Sequence, residues 1–256
     1  MFKILEMLGR PAMHALEEMG RILFMLAGAL TWAVRPPYRF RSIFKQMEFI
    51  GVNSLFVVIL TGAFTGAVFT LQSYYGFKQF GAEGMVGMTV ALAMARELGP
   101  VLTALMVTGR AGSAMAAELG TMRVTEQIDA LYVMATNPIK YLVVPRVLAG
   151  LIVLPLLTAI ANFVGVLGAY LVGVDLLGIN AGLFVGNIIT YVDMSDLVNG
   201  LVKSAVFGGV MSLIGCYKGF YASGGAEGVG KATTEAVVLS SIIILISNYM
   251  LTAIMF

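Results

Sequence analysis

Gly109-Arg110-Ala111-Gly112-Ser113-Ala114 leads through Ala117-Glu118-Leu119-Gly120 and Thr125-Glu126-Gln127-Ile128 to Asn137-Pro138. The stretch alternates charges with small residues. It also carries a helical apolar stripe: Val124, Ile128, Leu131, Tyr132 and Ala135, at spacings of 4, 3, 1 and 3. Glu126, Gln127 and Asp129 lie off that stripe. The helix is expected to end before Pro138, whose ring disfavours a helical residue ahead of it. On both sides of this segment the chain is suited only to a bilayer. A short amphipathic helix between two apolar spans is how a membrane domain offers a contact to a soluble protein; the bland alternative is a loop helix resting on the membrane. The fold expected is therefore an all-α integral membrane protein, with 110–137 as a cytoplasmic coupling region.

Composition agrees. Of 256 residues 59% are hydrophobic and 12% charged, about half the charge of a soluble domain, and the mean hydropathy is +0.92. Cys216 stands alone, which excludes an internal disulfide, and with one histidine, His14, no His/Cys metal site is expected. A net charge of +2 gives no reason to expect nucleic-acid binding. Lys3, Glu6, Arg10, Glu17 and Glu18 would spoil the core of a cleavable signal peptide, so none is expected.

A span needs about 20 apolar residues. Five are read, near 50–73, 85–107, 148–172, 197–217 and 236–256. The second is interrupted by Arg96 and Glu97, and the fourth contains Lys203. The apolar run 176–192 is short and glycine-rich and reads as an extramembrane or re-entrant helix. Seven basic residues precede the first span, and Arg110, Arg123, Lys140 and Arg146 follow the second. Lys218 and Lys231 follow the fourth, while the remaining loops hold only Lys78. This bias puts the N-terminus in the cytoplasm and the C-terminus outside.

Residues 2–24 read as an amphipathic helix in the membrane interface. Leu5, Leu8, Ala12, Leu16, Met19 and Leu23 form the apolar stripe, opposite Lys3, Glu6, Arg10, His14, Glu17 and Arg21. Packing on other protein is the alternative, and Pro11 is a possible kink. Trp32, Arg35, Pro36, Pro37, Tyr38, Arg39 and Arg41 form a basic, aromatic boundary at headgroup level.

Three motifs need weighing. Gly225-Ala226-Glu227-Gly228-Val229-Gly230-Lys231-Ala232 approaches a phosphate-binding loop, but Ala232 lacks the hydroxyl that holds magnesium, and no strand precedes it. It is expected to be a turn before a helix at Thr233, and the chain is not expected to bind ATP. Gly62-Ala63-Phe64-Thr65-Gly66 permits close helix approach, within the chain or between copies. Arg96-Glu97-Leu98-Gly99-Pro100 puts two charges mid-span, where adjacent residues point too far apart to satisfy each other. Lys203 is the available partner for Glu97. That leaves Arg96, whose planar donor fork suits a phosphate. A structural pair and a polar lining for a charged ligand head are both open.

Arg96-Glu97-Leu98-Gly99-Pro100-Val101, the segments quoted from Gly109 to Pro138, Leu154-Pro155-Leu156-Leu157 and Gly230-Lys231-Ala232-Thr233-Thr234 together resemble the MlaE/YrbE family of ABC-type lipid-transport permeases. The resemblance covers nearly the whole chain. Asn248 departs from it, standing where some members carry an acidic residue, so no role for a charge is carried over there.

The resemblance implies a multi-pass protein of the bacterial inner membrane, with two copies at the centre of a complex. Two MlaF-like cytoplasmic ATPases would dock on the loop helices, each with a small MlaB-like STAS-type accessory protein. A MlaD-like hexamer of MCE-domain proteins would sit on the periplasmic side. The substrate would be a glycerophospholipid, moved between inner and outer membranes to maintain outer-membrane lipid asymmetry. ATP and magnesium would belong to the ATPase, and no catalytic site or cofactor is expected in this chain.

One permease domain, 1–256, is expected, with 1–48 as interfacial helix and boundary and 50–256 as the transmembrane part. Lipid tails are expected on Leu71, Tyr75 and Phe80, and the head near Arg96, Glu97 and Lys203. Glu118, Arg123, Val124, Glu126, Gln127, Ile128 and Leu131 are the expected coupling residues. Two rival readings are an ion-coupled secondary transporter of an amphipathic substrate and a non-transporting scaffold. The first calls for inverted repeats, which the sequence lacks; the second has no need of buried charges in two spans.

Overall fold

The computed structural model describes residues 2–36 and 39–255, with side chains from Met13 onward except those of His14 and Ala15. These residues are helical and include no strand. Five helices are long and apolar enough to cross a membrane: α2 (Phe40–Lys78), α3 (Glu83–Val124), α5 (Ile139–Leu176), α7 (Met194–Phe220) and α8 (Gly225–Met255). Helices α1 (Phe2–Ala33), α4 (Gln127–Val133) and α6 (Ala181–Tyr191) complete the described chain.

The five expected spans are present, each longer than its apolar run. Helix α3 does not end near 107 but continues to Val124. Its small residues let it stay against a neighbour: a Cβ on Gly215 of α7 would lie 2.9 Å from the Gly112 carbonyl oxygen. Helix α8 starts at Gly225, so Gly225–Ala232 is its first two turns and not a turn before it. The reversal is confined to the residues just ahead, where Gly224 and Gly225 hold φ of 92° and 68°, values open to a residue without Cβ.

Helix α5 is central, with α2 on one side and α7 on the other. Gly62 and Gly66 of α2 rest on Ala161 and Gly165 of α5. The Gly-x-x-x-Gly step is thus spent on packing within the chain. Ile50, Val58, Val107, Leu154, Phe207 and Ile244 represent the main core, drawn from all five spans.

Helix α1 runs on past residue 24 to Ala33. One face, with Ile22, Met25 and Ala29, packs on the start of α5 and the end of α7, and Glu18 forms an ion pair with Lys218. Leu16, Met19 and Leu23 stay exposed, so this helix touches its own chain and still presents half of the expected apolar stripe. The side chains of Leu5, Leu8 and Ala12, and of Lys3, Glu6, Arg10 and His14, lie outside the described residues, as do Pro37 and Tyr38. The basic boundary is tied to α5: Lys140 lies 5.0 Å from the Trp32 ring and Arg39 4.0 Å from that of Tyr141. Helix α6 is too short to span. It buries Phe184 among Val86, Val90 and Ala169, at the end of the bundle opposite α4.

Candidate functional site

Helix α3 changes pitch before Pro100. Proline has no N–H and crowds the preceding turn, and Met94–Leu98 forms a wider π turn. Such turns are frequent at functional positions. Helix α7 faces this turn with Asp196, Gly200 and Lys203, a single stripe at spacings of 4 and 3. At Gly200 the two backbones meet: a Cβ there would strike the carbonyl oxygen of Ala95.

That approach sets the charges. The Lys203 ammonium donates to Glu97 Oε1 at 2.7 Å, to the Arg96 carbonyl at 3.0 Å and to Thr252 Oγ1 at 2.8 Å. Asn248 Nδ2 donates to Glu97 Oε2 at 2.9 Å, and the Thr252 hydroxyl lies 2.9 Å from Glu97 Oε1. The Lys203 side chain is 0% exposed and that of Glu97 35%. The ammonium is therefore sealed in, while the carboxylate looks outward.

Arg96 takes a different partner. Its Nε and one terminal nitrogen lie 2.8 and 2.7 Å from Asp196 Oδ1. The other oxygen of Asp196 accepts the Asp193 backbone N–H in a capping box that starts α7. Asp196 is 3% exposed and Arg96 39%.

The expected Glu97–Lys203 pair is thus present. The expectation that Arg96 is left over for a phosphate needs correction, since Asp196 engages it. Asp196 was assigned to a loop because the apolar run begins at Leu197, yet its place seven residues before Lys203 puts both on one helical face. In the sequence Asn248 stands out only as a departure from the family pattern, and Thr252 is passed over; the structure places both on Glu97. Their signal was a polar pair four residues apart in a span without charges.

An open groove of about 460 Å³ lies along α2, lined by Phe64, Thr65, Val68, Phe69 and Gln72 with Leu98 of α3; none of the charged residues lines it. Leu71 is half-buried and Tyr75 exposed farther along α2; Phe80 is exposed after its end. None of these three lines the groove.

At the other end, the expected helix over 124–135 is broken. Glu126 sits at φ 59°, so Val124 ends α3 while Ile128 belongs to α4. Thr125 donates its hydroxyl to the Thr121 carbonyl at 2.8 Å, closing the last turn. Ile128 is buried against its own chain with Leu119, Leu142 and Val143, and Leu131 packs beside them. Arg123 pairs with Asp129 at 2.5 Å, and Glu118 with Arg146 at 2.7 Å. Glu126 and Gln127 face outward. So do Tyr132, Val133 and Met134, which the sequence reading did not select as a group.

Five long apolar helices, with charges buried among three of them and an apolar groove on the same bundle, define a polytopic membrane protein. The family model described as Permease MlaE matches residues 43–254, and the chain belongs to that family. It is 48% identical to a probable ABC transporter permease protein of Rickettsia bellii, over 100% of this chain and 99% of the relative. It is 40% identical to the intermembrane phospholipid transport system permease protein MlaE of Haemophilus influenzae, over 97% and 96%. The chloroplastic TRIGALACTOSYLDIACYLGLYCEROL 1 protein of Arabidopsis thaliana is 40% identical over 92% of this chain and 65% of its own length.

Proposed function

We propose that this chain is the transmembrane permease subunit of an ABC transporter that moves glycerophospholipids between the inner and outer membranes and so maintains outer-membrane lipid asymmetry. The observation that carries the reading is that one bundle holds both an open apolar groove at Phe64, Val68 and Leu98 and, on the residue before Leu98, the partly exposed carboxylate of Glu97. Acyl chains lie on the apolar wall, and the headgroup meets Arg96 and Glu97. Lys203 holds Glu97 in place from behind. Near-full-length likeness to a permease named for phospholipid transport supports this substrate class.

The chain does no bond chemistry in this scheme; ATP and magnesium sit on a partner ATPase. The cationic end, with α1 and α4, faces the cytoplasm, and the C-terminus faces the periplasm. The ATPase, with its STAS-type accessory protein, docks at Glu126, Gln127 and Tyr132–Met134. A second copy covers the exposed apolar face of α8 at Val238, Ile242 and Tyr249, and an MCE-domain hexamer adjoins the end that carries α6. ATP binding moves the α3–α4 arm and changes the groove.

The test is purification from the native membrane and reconstitution into liposomes containing labelled phospholipid. ATP-dependent lipid transfer with a co-purifying ATPase is expected. A chain that purifies without an ATPase and moves its substrate on an ion gradient would overturn the proposal in favour of a secondary transporter.

A further inference from the structure

The cytoplasmic half of α2 is not one rigid piece. It is α-helical over Phe40–Gly51, tightens to a 3-10 turn at Val52–Ser54, and resumes as α-helix from Leu55. A change of pitch leaves carbonyls without their regular partners. Arg110 of α3 supplies donors there. Its guanidinium donates to the Phe49 carbonyl at 2.5 Å, the Ile50 carbonyl at 3.2 Å and the Ser54 hydroxyl at 2.7 Å. It also stands 5.2 Å from the Phe49 ring, within cation–π range. One side chain thus ties the end of the first arm to the last residue of the 3-10 turn.

Arg110 is itself in a π turn, Thr108–Gly112. From it α3 continues without a break to Val124, immediately before α4. Fourteen residues of helix make an arm about 21 Å long. The far side of the joint carries Phe64 and Val68, the wall of the groove. The path from α4 to the groove wall is thus a helix, one guanidinium and the change of pitch in α2.

We infer that Arg110 is a positioning residue that couples the α3–α4 arm to the bend in α2, so that movement at the ATPase contact resets the groove wall. Lysine cannot replace it, because a single ammonium lacks the fork that reaches two carbonyls and a hydroxyl together. This inference rests on the proposed function.

The experiment uses the whole complex in liposomes and measures ATP hydrolysed and lipid transferred for wild type, Arg110→Lys, Arg110→Gln and Ser54→Ala. Spin labels at Phe44 and Leu60, exposed positions on the two arms, report the bend with and without ATP. The Arg110 variants should hydrolyse ATP near the wild-type rate while lipid moved per ATP falls about tenfold, within the range of coupling energies between sites. Their label distance should broaden and cease to respond to ATP. Ser54→Ala, which removes one of the three acceptors, should fall between, and it decides the matter if the Arg110 variants do not assemble. An unchanged lipid-to-ATP ratio and an ATP-responsive distance in the assembled variants would overturn the coupling role. If wild type itself moves no lipid with ATP, the proposed function fails, while the label distances still report whether Arg110 fixes the bend.

Discussion

Two groups of charges in this molecule are satisfied by opposite means. Where α3 meets α7, Glu97 with Lys203 and Arg96 with Asp196 oppose charge to charge, each pairing a sealed partner with one open to the surroundings. Arg110 leans instead on the backbone carbonyls of Phe49 and Ile50, and Arg146 adds to its ion pair with Glu118 a bond to the Leu142 carbonyl at 2.7 Å. The first arrangement leaves Glu97 and Arg96 partly open to the surroundings. The second uses charge to pin helix joints and leaves little to offer a ligand. In the proposed function, similar residue types serve binding in one place and mechanical linkage in the other.

The strongest way to break this contrast is the mid-span pair, because its two members are unequally buried. Glu97→Ala strands a fully buried ammonium and is expected to cost about 3–5 kcal/mol, as for other broken buried pairs. Lys203→Met leaves a carboxylate that is partly exposed and still accepts from Asn248, so its cost should be smaller. The double variant should recover stability beyond Glu97→Ala alone and remain inactive in lipid transfer. Thermal unfolding of the complex in nanodiscs, beside the lipid transfer assay, reads both. Equal losses for the two single variants would mean that the burial asymmetry does not govern the pair.

Arg96→Ala comes next. It leaves Asp196 buried with only the capping contact to the Asp193 N–H at 3.2 Å. A loss of about 2–3 kcal/mol is expected, the scale of hydrogen bonds to charged groups, together with less phospholipid co-purified per complex. Arg96→Ala with Asp196→Asn should regain stability while lipid content stays low. Recovery of both would reduce Arg96 to a structural strut.

How much of this was legible beforehand follows from the same contrast. The spans, their order and the Glu97–Lys203 pair could be read because apolar runs and intramembrane charges are costly signals that few arrangements satisfy. Asp196 was hidden by its position at a span boundary, where an acid reads as loop until the face it shares with Lys203 is considered. Asn248 and Thr252 carry no charge and so raised no alarm. The joint at Val52–Ser54 and the break at Glu126 depend on tertiary contacts, from Arg110 in one case and from the burial of Ile128 in the other. Gly51 caps the first with a negative φ that any residue can adopt, and the second has no proline or glycine beside it. The amphipathic stripe through Val124 and Ile128 was real as a spacing but was divided between two helices.

Packing of α2 on α5 offers a smaller, purely steric test. Gly62→Ala would bring a Cβ to 2.9 Å from the Ala161 carbonyl. Forcing the helices apart should cost about 1–3 kcal/mol, as for other overpacked cores. Since Gly62 adjoins the Phe64 wall in sequence, lipid transfer should fall with the lost stability. A variant as stable as wild type would show that the two helices separate easily.

The smallest effect on stability, and the sharpest on function, is expected of a substitution at Val133 in α4. Ile128→Ala and Val133→Asp are five residues apart on one short helix. Ile128 is fully buried in its own chain, whereas Val133 is 88% exposed. Truncating the buried residue should cost about 2–5 kcal/mol through lost packing and the cavity left behind. A charge on the exposed one should change stability by no more than about 0.5 kcal/mol, the usual range for a surface substitution. If Tyr132, Val133 and Met134 form the ATPase contact, the order reverses for assembly. Val133→Asp should then release the ATPase because it buries an unpaired carboxylate in an apolar contact. Ile128→Ala should keep the ATPase at temperatures where the bundle stays folded. Thermal unfolding of the permease and the amount of ATPase retained on affinity purification separate the two effects. Retention of the ATPase by Val133→Asp at the wild-type level would place the docking surface elsewhere on this end, with Glu126 and Gln127 the next positions to reverse.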